Sequence, residues 1–85
     1  MNDRHLVVHT YLDLQATKEE NRPVWRSIVK EYPEWVIAHT KMRESFARTS
    51  CLTSKMISAS FGYDSAYIET VEGGKKIWTI TKVEG

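Results

Sequence analysis

Only one cysteine, Cys51, stands in the 85 residues of the chain. That excludes an intrachain disulfide and a zinc site built from several cysteines, and it is the usage expected of a reducing compartment. Long apolar runs are also missing. The longest, Trp35 to Ala38, is far too short to cross a bilayer, and the opening "MNDRHLVVHTYLDL" has acids and histidines where a signal peptide carries an unbroken apolar centre. Neither charge sign dominates: 12 Lys and Arg oppose 11 Asp and Glu, a net charge of +1. The overall basic character of a strong nucleic-acid binder is therefore absent, and an electrostatic partner has to be met by a local patch. Two prolines and four glycines leave no linker, and no repeat or low-complexity tract divides the chain. The expectation is a soluble, cytoplasmic protein made of one small domain, residues 1–85, with 41% apolar and 11% aromatic content to form a single modest core.

The residues present favour helices in the first half. In "DRHLVVHTYLDLQA", Asp3 is a candidate N-cap, and Val7, Val8, Tyr11, Leu12 and Gln15 recur at helical spacing. The β-branched pair and the alternation of Leu12 and Leu14 leave a strand open for residues 5–15. The polar run Thr17 to Pro23 has turn composition. Beyond it, Asn21 can cap a helix with Pro23 in its first turn, whose core face is Trp25, Ile28, Val29 and Tyr32. Pro33 disfavours a helical Tyr32, so a kink or restart is expected there, with "PEWVIAHTKMRESFA" continuing as helix.

The last third changes period. "AYIETV" and "KKIWTITKV" are rich in β-branched and aromatic residues and flank "EGG", the composition of a hairpin. A two-residue Gly73-Gly74 loop would mix apolar and charged residues on each side. A three-residue loop of Glu72, Gly73 and Gly74 gathers Ala66, Ile68, Trp78 and Ile80 on one face, with Gly74 as the left-handed residue. A two-stranded ribbon is marginal alone, so this face is expected to pack on the helices.

Between these parts, "SFARTSCLTSKMISASFG" spaces Phe46, Ala47, Cys51, Leu52 and Ile57 in the manner of a bihelical corner, with Ser54 as cap of its second helix. The stretch resembles a helix-turn-helix, and the order of helices, bihelical unit and glycine-tipped hairpin is similar to the winged helix-turn-helix family. The resemblance implies an α+β fold with N-terminal helices, a helix-turn-helix unit and a C-terminal β-hairpin wing. It also implies that Thr53, Ser54, Lys55 and Ser58 face the major groove of double-stranded DNA, that Lys75 and Lys76 meet phosphate, and that Ile57 is buried. Arg43 and Arg48 add cations beside that surface.

From Cys51 to Gly62, Lys55 is the sole residue of the Arg, Lys, Asn and Gln set that reads base edges, so reading of sequence would be weak. Charge is divided as +2 for residues 41–85 against −1 for residues 1–40. The first expectation is a small non-enzymatic DNA-binding regulator. The alternative is a protein-binding regulator or inhibitor that occludes or recruits a larger protein without DNA. Trp35, after the Pro33 break, is the candidate anchor for that role, while Trp25 and Trp78 fall on core faces. A homodimer would double the basic patch. Enzymatic readings are weaker. His5, His9 and Asp13 lack a fourth metal ligand, Cys51 falls at an expected buried turn away from use by His39, and "VEGGKK" lacks phosphate-loop spacing. No cofactor or metal is expected.

Overall fold

The computed structural model describes residues 3–53, 55–71 and 73–84. Seven elements follow one another: β1 (Arg4–Leu12), α1 (Leu14–Glu20), β2 (Trp25–Tyr32), α2 (Trp35–Leu52), β3 (Met56–Phe61), β4 (Ser65–Thr70) and β5 (Lys75–Val83). The strands form one antiparallel sheet in the order β2-β1-β5-β4-β3, and α2 lies across one side of it. This is an α+β fold, but the winged arrangement of N-terminal helices and a terminal hairpin is overturned by the five-stranded sheet.

Residues 4–12 take the strand alternative. Val7, Val8, Thr10 and Tyr11 suit a pleated surface, and β1 is bonded on both edges, to β2 and to β5. Asp13 then caps α1, its carboxylate accepting the Ala16 N–H at 3.0 Å. Asn21 does not start a helix. It ends one, in the left-handed conformation at φ 56°, with its N–H donating to the Thr17 carbonyl. The segment read as a second helix is β2, and its three-, four- and seven-residue spacing is divided between the two sides of the sheet. Ile28 and Tyr32 lie on the α2 side, Trp25 and Val29 on the other.

α2 begins after Pro33, where the restart is expected, and continues to Leu52 with Ala38 and Met42 fully buried. No turn interrupts it at Cys51, which is exposed, as are Ala47 and Leu52, so no second helix packs there. The expected recognition helix is instead β3. Thr53 is extended and Lys55 left-handed at φ 57°, which ends the helical path, and Ala59 and Phe61 pair with Ile68 and Ala66 of β4. Ile57, expected inside, is exposed beside a register shift between Met56 and Ser58. The expected cap Ser54 and the loop residue Glu72 lie outside the described residues.

The hairpin of β4 and β5 forms, and the face expected to be apolar is the inner one: Ala66, Ile68 and Trp78 are buried and Ile80 packs against them. Its turn sits one residue earlier than expected. The Thr70 N–H donates to the Gly74 carbonyl at 3.0 Å, and Gly73 is the left-handed residue at φ 84°. The hairpin is no wing, because β5 is the middle strand, paired with β1 as well as β4. Val7 from β1, Ala38 and Met42 from α2, and the inner hairpin residues make the core, flanked by Tyr32, Phe46 and Phe61.

Candidate functional site

Because α2 is the single long helix and covers one side of the sheet, the other side is open. Side-chain alternation sends Leu6, Val8 and Leu12 of β1, Trp25 and Val29 of β2, Tyr67 of β4 and Ile77 of β5 to that side. Trp25, Val29, Tyr67 and Ile77 are 46%, 56%, 41% and 37% exposed. A sheet face meant only for water alternates to polar residues. Here the polar residues between the apolar ones are small, Thr79 and Thr81 of β5 with Ser60 and Ser65 beside them, and two are paired: Thr10 with Ser27 at 3.2 Å, and Ser58 with the Tyr67 hydroxyl at 3.1 Å. The charges sit at the rim and cancel, Arg4 against Glu31 at 3.3 Å and Lys75 opposite Glu69.

Trp25 was expected in a helical core and Val8 and Val29 in helical faces, so sequence reasoning missed this surface. The available signal was the adjacent pairs Val7-Val8 and Ile28-Val29, which put an apolar residue on both sides of any strand that contains them.

On the covered side, α2 contacts β1, β5, β2 and β4, and most of the edge strand β2 remains exposed. A cleft of about 410 Å³ lies between α2 and β2, floored by Val7, His9 and Trp78, walled by Ile28, Lys30 and Tyr32 from β2 and by Lys41, Glu44, Ser45 and Arg48 from α2. Positions 41, 44, 45 and 48 share one helix face. Glu44 and Lys41 pair at 3.7 Å, and among the described residues no carboxylate lies within 4.0 Å of Lys30 or Arg48. The His9 ring lies 4.4 Å from that of Trp78, and its buried Nε2 has no hydrogen-bond partner among the described residues. Burial, and then the charge of Lys76, hold the imidazole below its usual pKa of 6.5.

Trp35, the expected anchor, is half-buried at the start of α2, stacked between His39 at 4.6 Å and Tyr63 at 4.4 Å. It lies on the α2 side, away from the open face. Of the residues assigned to DNA, Thr53 donates its hydroxyl to the Thr49 carbonyl at 2.6 Å, and Ser58 is bonded to Tyr67 on the open face. Lys55 adjoins the hairpin turn, its carbonyl accepting the Val71 N–H at 3.0 Å. Lys75 and Lys76 start β5 at that same end but point to opposite sides of the sheet. Arg43 is exposed on α2, and Arg48 borders the cleft. Lys55, Lys75 and Lys76 thus lie at one sheet end, the segment expected to enter a groove being strand β3.

Among the described residues no three His, Cys, Asp or Glu side chains gather as a metal site. His5 and His9 share a face, but as i and i+4 of a strand they stand about 13 Å apart. Cys51 and His39 are separated by about 18 Å along α2. Among the described residues no helix is long and apolar enough to cross a membrane. Comparison with known proteins finds no matching family model, no matching curated protein and no matching solved structure.

Proposed function

We propose that the chain is a non-enzymatic protein-binding module, a regulator or inhibitor that lays the open face of its sheet on a larger folded protein. The observation that carries this reading is the uncovered apolar face built around Val8, Val29, Trp25 and Ile77. Five strands spaced at about 4.8 Å, each presenting about seven residues at 3.4 Å, span a face on the order of 600 Å² in projection. With side-chain relief this approaches the roughly 800 Å² per partner of a stable protein interface. The partner's matching surface is apolar at its centre and carries little net charge, because the rim pairs Arg4–Glu31 and Lys75–Glu69 are already balanced. Duplex DNA has less to hold it, since the segment assigned to the groove is strand β3 and its serine is tied to Tyr67.

The test uses a photo-crosslinking side chain at position 29 on the open face and, as control, at position 41 on α2. The expected result is one protein joined from position 29 and not from 41, which binds one to one when purified. Val29→Lys should weaken that complex by about 2 kcal/mol, or thirty-fold. Crosslinks only to a second copy of the chain, with dimers seen by light scattering, would overturn the reading in favour of self-association. Binding that survives Val29→Lys would overturn the choice of face.

A further inference from the structure

We propose that the cleft between α2 and β2 is a binding site for a small phosphomonoester that carries an apolar ring. This site is on the opposite side of the sheet from the docking face and does not depend on it. Three cations, Lys30 from one wall and Lys41 and Arg48 from the other, border one volume with a single carboxylate, Glu44. The net lining charge of +2 matches a phosphomonoester dianion. Lys30 and Arg48 carry no ion pair among the described residues, so an anion need not displace an existing partner to reach them. Arg48 presents the planar donor fork that suits phosphate oxygens.

The remainder of the cleft argues for an organic body on that phosphate. Ile28 is 48% exposed although it belongs to the side of the sheet that α2 covers. With the partly buried ring of Tyr32 on the same strand, it supplies an apolar wall beside the cations. A volume of about 410 Å³ lies within the range of small-molecule sites, which combine apolar lining with a few placed polar groups. Inorganic phosphate would leave this wall wet.

The test is a titration of phenyl phosphate, with inorganic phosphate and benzyl alcohol as separate probes, into isotope-labelled protein followed by nuclear magnetic resonance. The expected result is saturable shifts at the amides of Lys30, Ser45 and Arg48 and at the indole N–H of Trp78, which donates to Ser45 inside the cleft. Phenyl phosphate should bind several-fold more tightly than either simpler probe. Arg48→Gln and Lys30→Gln, both at exposed positions, should each weaken it about ten-fold, the loss expected for one charge-assisted hydrogen bond. Arg43→Gln, on the same helix outside the cleft, should leave the affinity unchanged. Shifts that never saturate, equal affinity for phenyl phosphate and inorganic phosphate, or equal losses in all three variants would each overturn the proposal.

Discussion

The indole N–H of Trp78 donates to Ser45 Oγ at 3.0 Å, joining the middle strand of the sheet to the helix above it. Trp78 is fully buried, and this bond satisfies its one polar atom in a core whose other buried members are apolar. Ser45→Ala should therefore cost about 1–3 kcal/mol, since it leaves a buried donor without a partner. Trp78→Ala should cost about 3–5 kcal/mol, enough to threaten folding in so small a domain. Trp25→Ala on the open face should cost far less. Urea denaturation followed by circular dichroism measures all three, and equal losses for the two tryptophans would contradict their assigned places.

The two glycines of the β4–β5 turn fail for different reasons when replaced. At Gly73, with φ 84° and open space around a would-be Cβ, Ala should cost about 1 kcal/mol from backbone strain alone, and Asn less. At Gly74 a Cβ would stand 2.8 Å from Thr70 Oγ1, the atom that accepts the Gly74 N–H. Gly74→Ala should then cost about 1 kcal/mol by breaking that bond, and nearly nothing further in a Thr70→Ala background, where the obstacle and the bond are already gone. Denaturation midpoints of the four proteins in that cycle check the coupling.

His9 makes stability depend on pH. Its folded pKa lies below the unfolded 6.5, because burial and Lys76 both oppose the charged ring. The unfolded chain then binds the proton more readily, so this contribution is fully present above 6.5 and is lost as pH falls from there through the folded value. His9→Gln should flatten the stability profile as pH falls below 6.5, and Lys76→Met should move the imidazole titration upward. Histidine ring shifts in a pH titration and parallel urea curves read both. A profile unchanged by His9→Gln would remove the residue from the account.

Reading the sequence succeeds where one element's own residues decide. Pro33 ends one segment and no breaker interrupts the stretch after it, so α2 is legible from Trp35 onward, while only the packing picks out Ala38 and Met42 as its buried residues and leaves Val36 exposed. Ala66, Ile68, Trp78 and Ile80 are legible as one hairpin face because two glycines limit how the strands can turn. It fails for β1, β2 and β3. The spacing Trp25, Ile28, Val29, Tyr32 fits a helix face, and the same residues fit a strand with apolar side chains on both sides. "TSKMISASF" likewise fits a second helix until β4 needs a partner for its free edge.

The candidate surfaces follow the same division. Composition alone determines a small, nearly neutral chain with one cysteine and no membrane-length apolar run. That the hairpin is the middle of a sheet rather than a wing depends on β1, where Arg4 pairs with Val83 from the other end of the chain. Such pairing is invisible to local patterning, because its hydrogen bonds join distant backbone atoms whatever side chains lie between. The same pairing sends Val8 and Val29 outward and opens the cleft beside α2, so both candidate sites were settled only when the strands met.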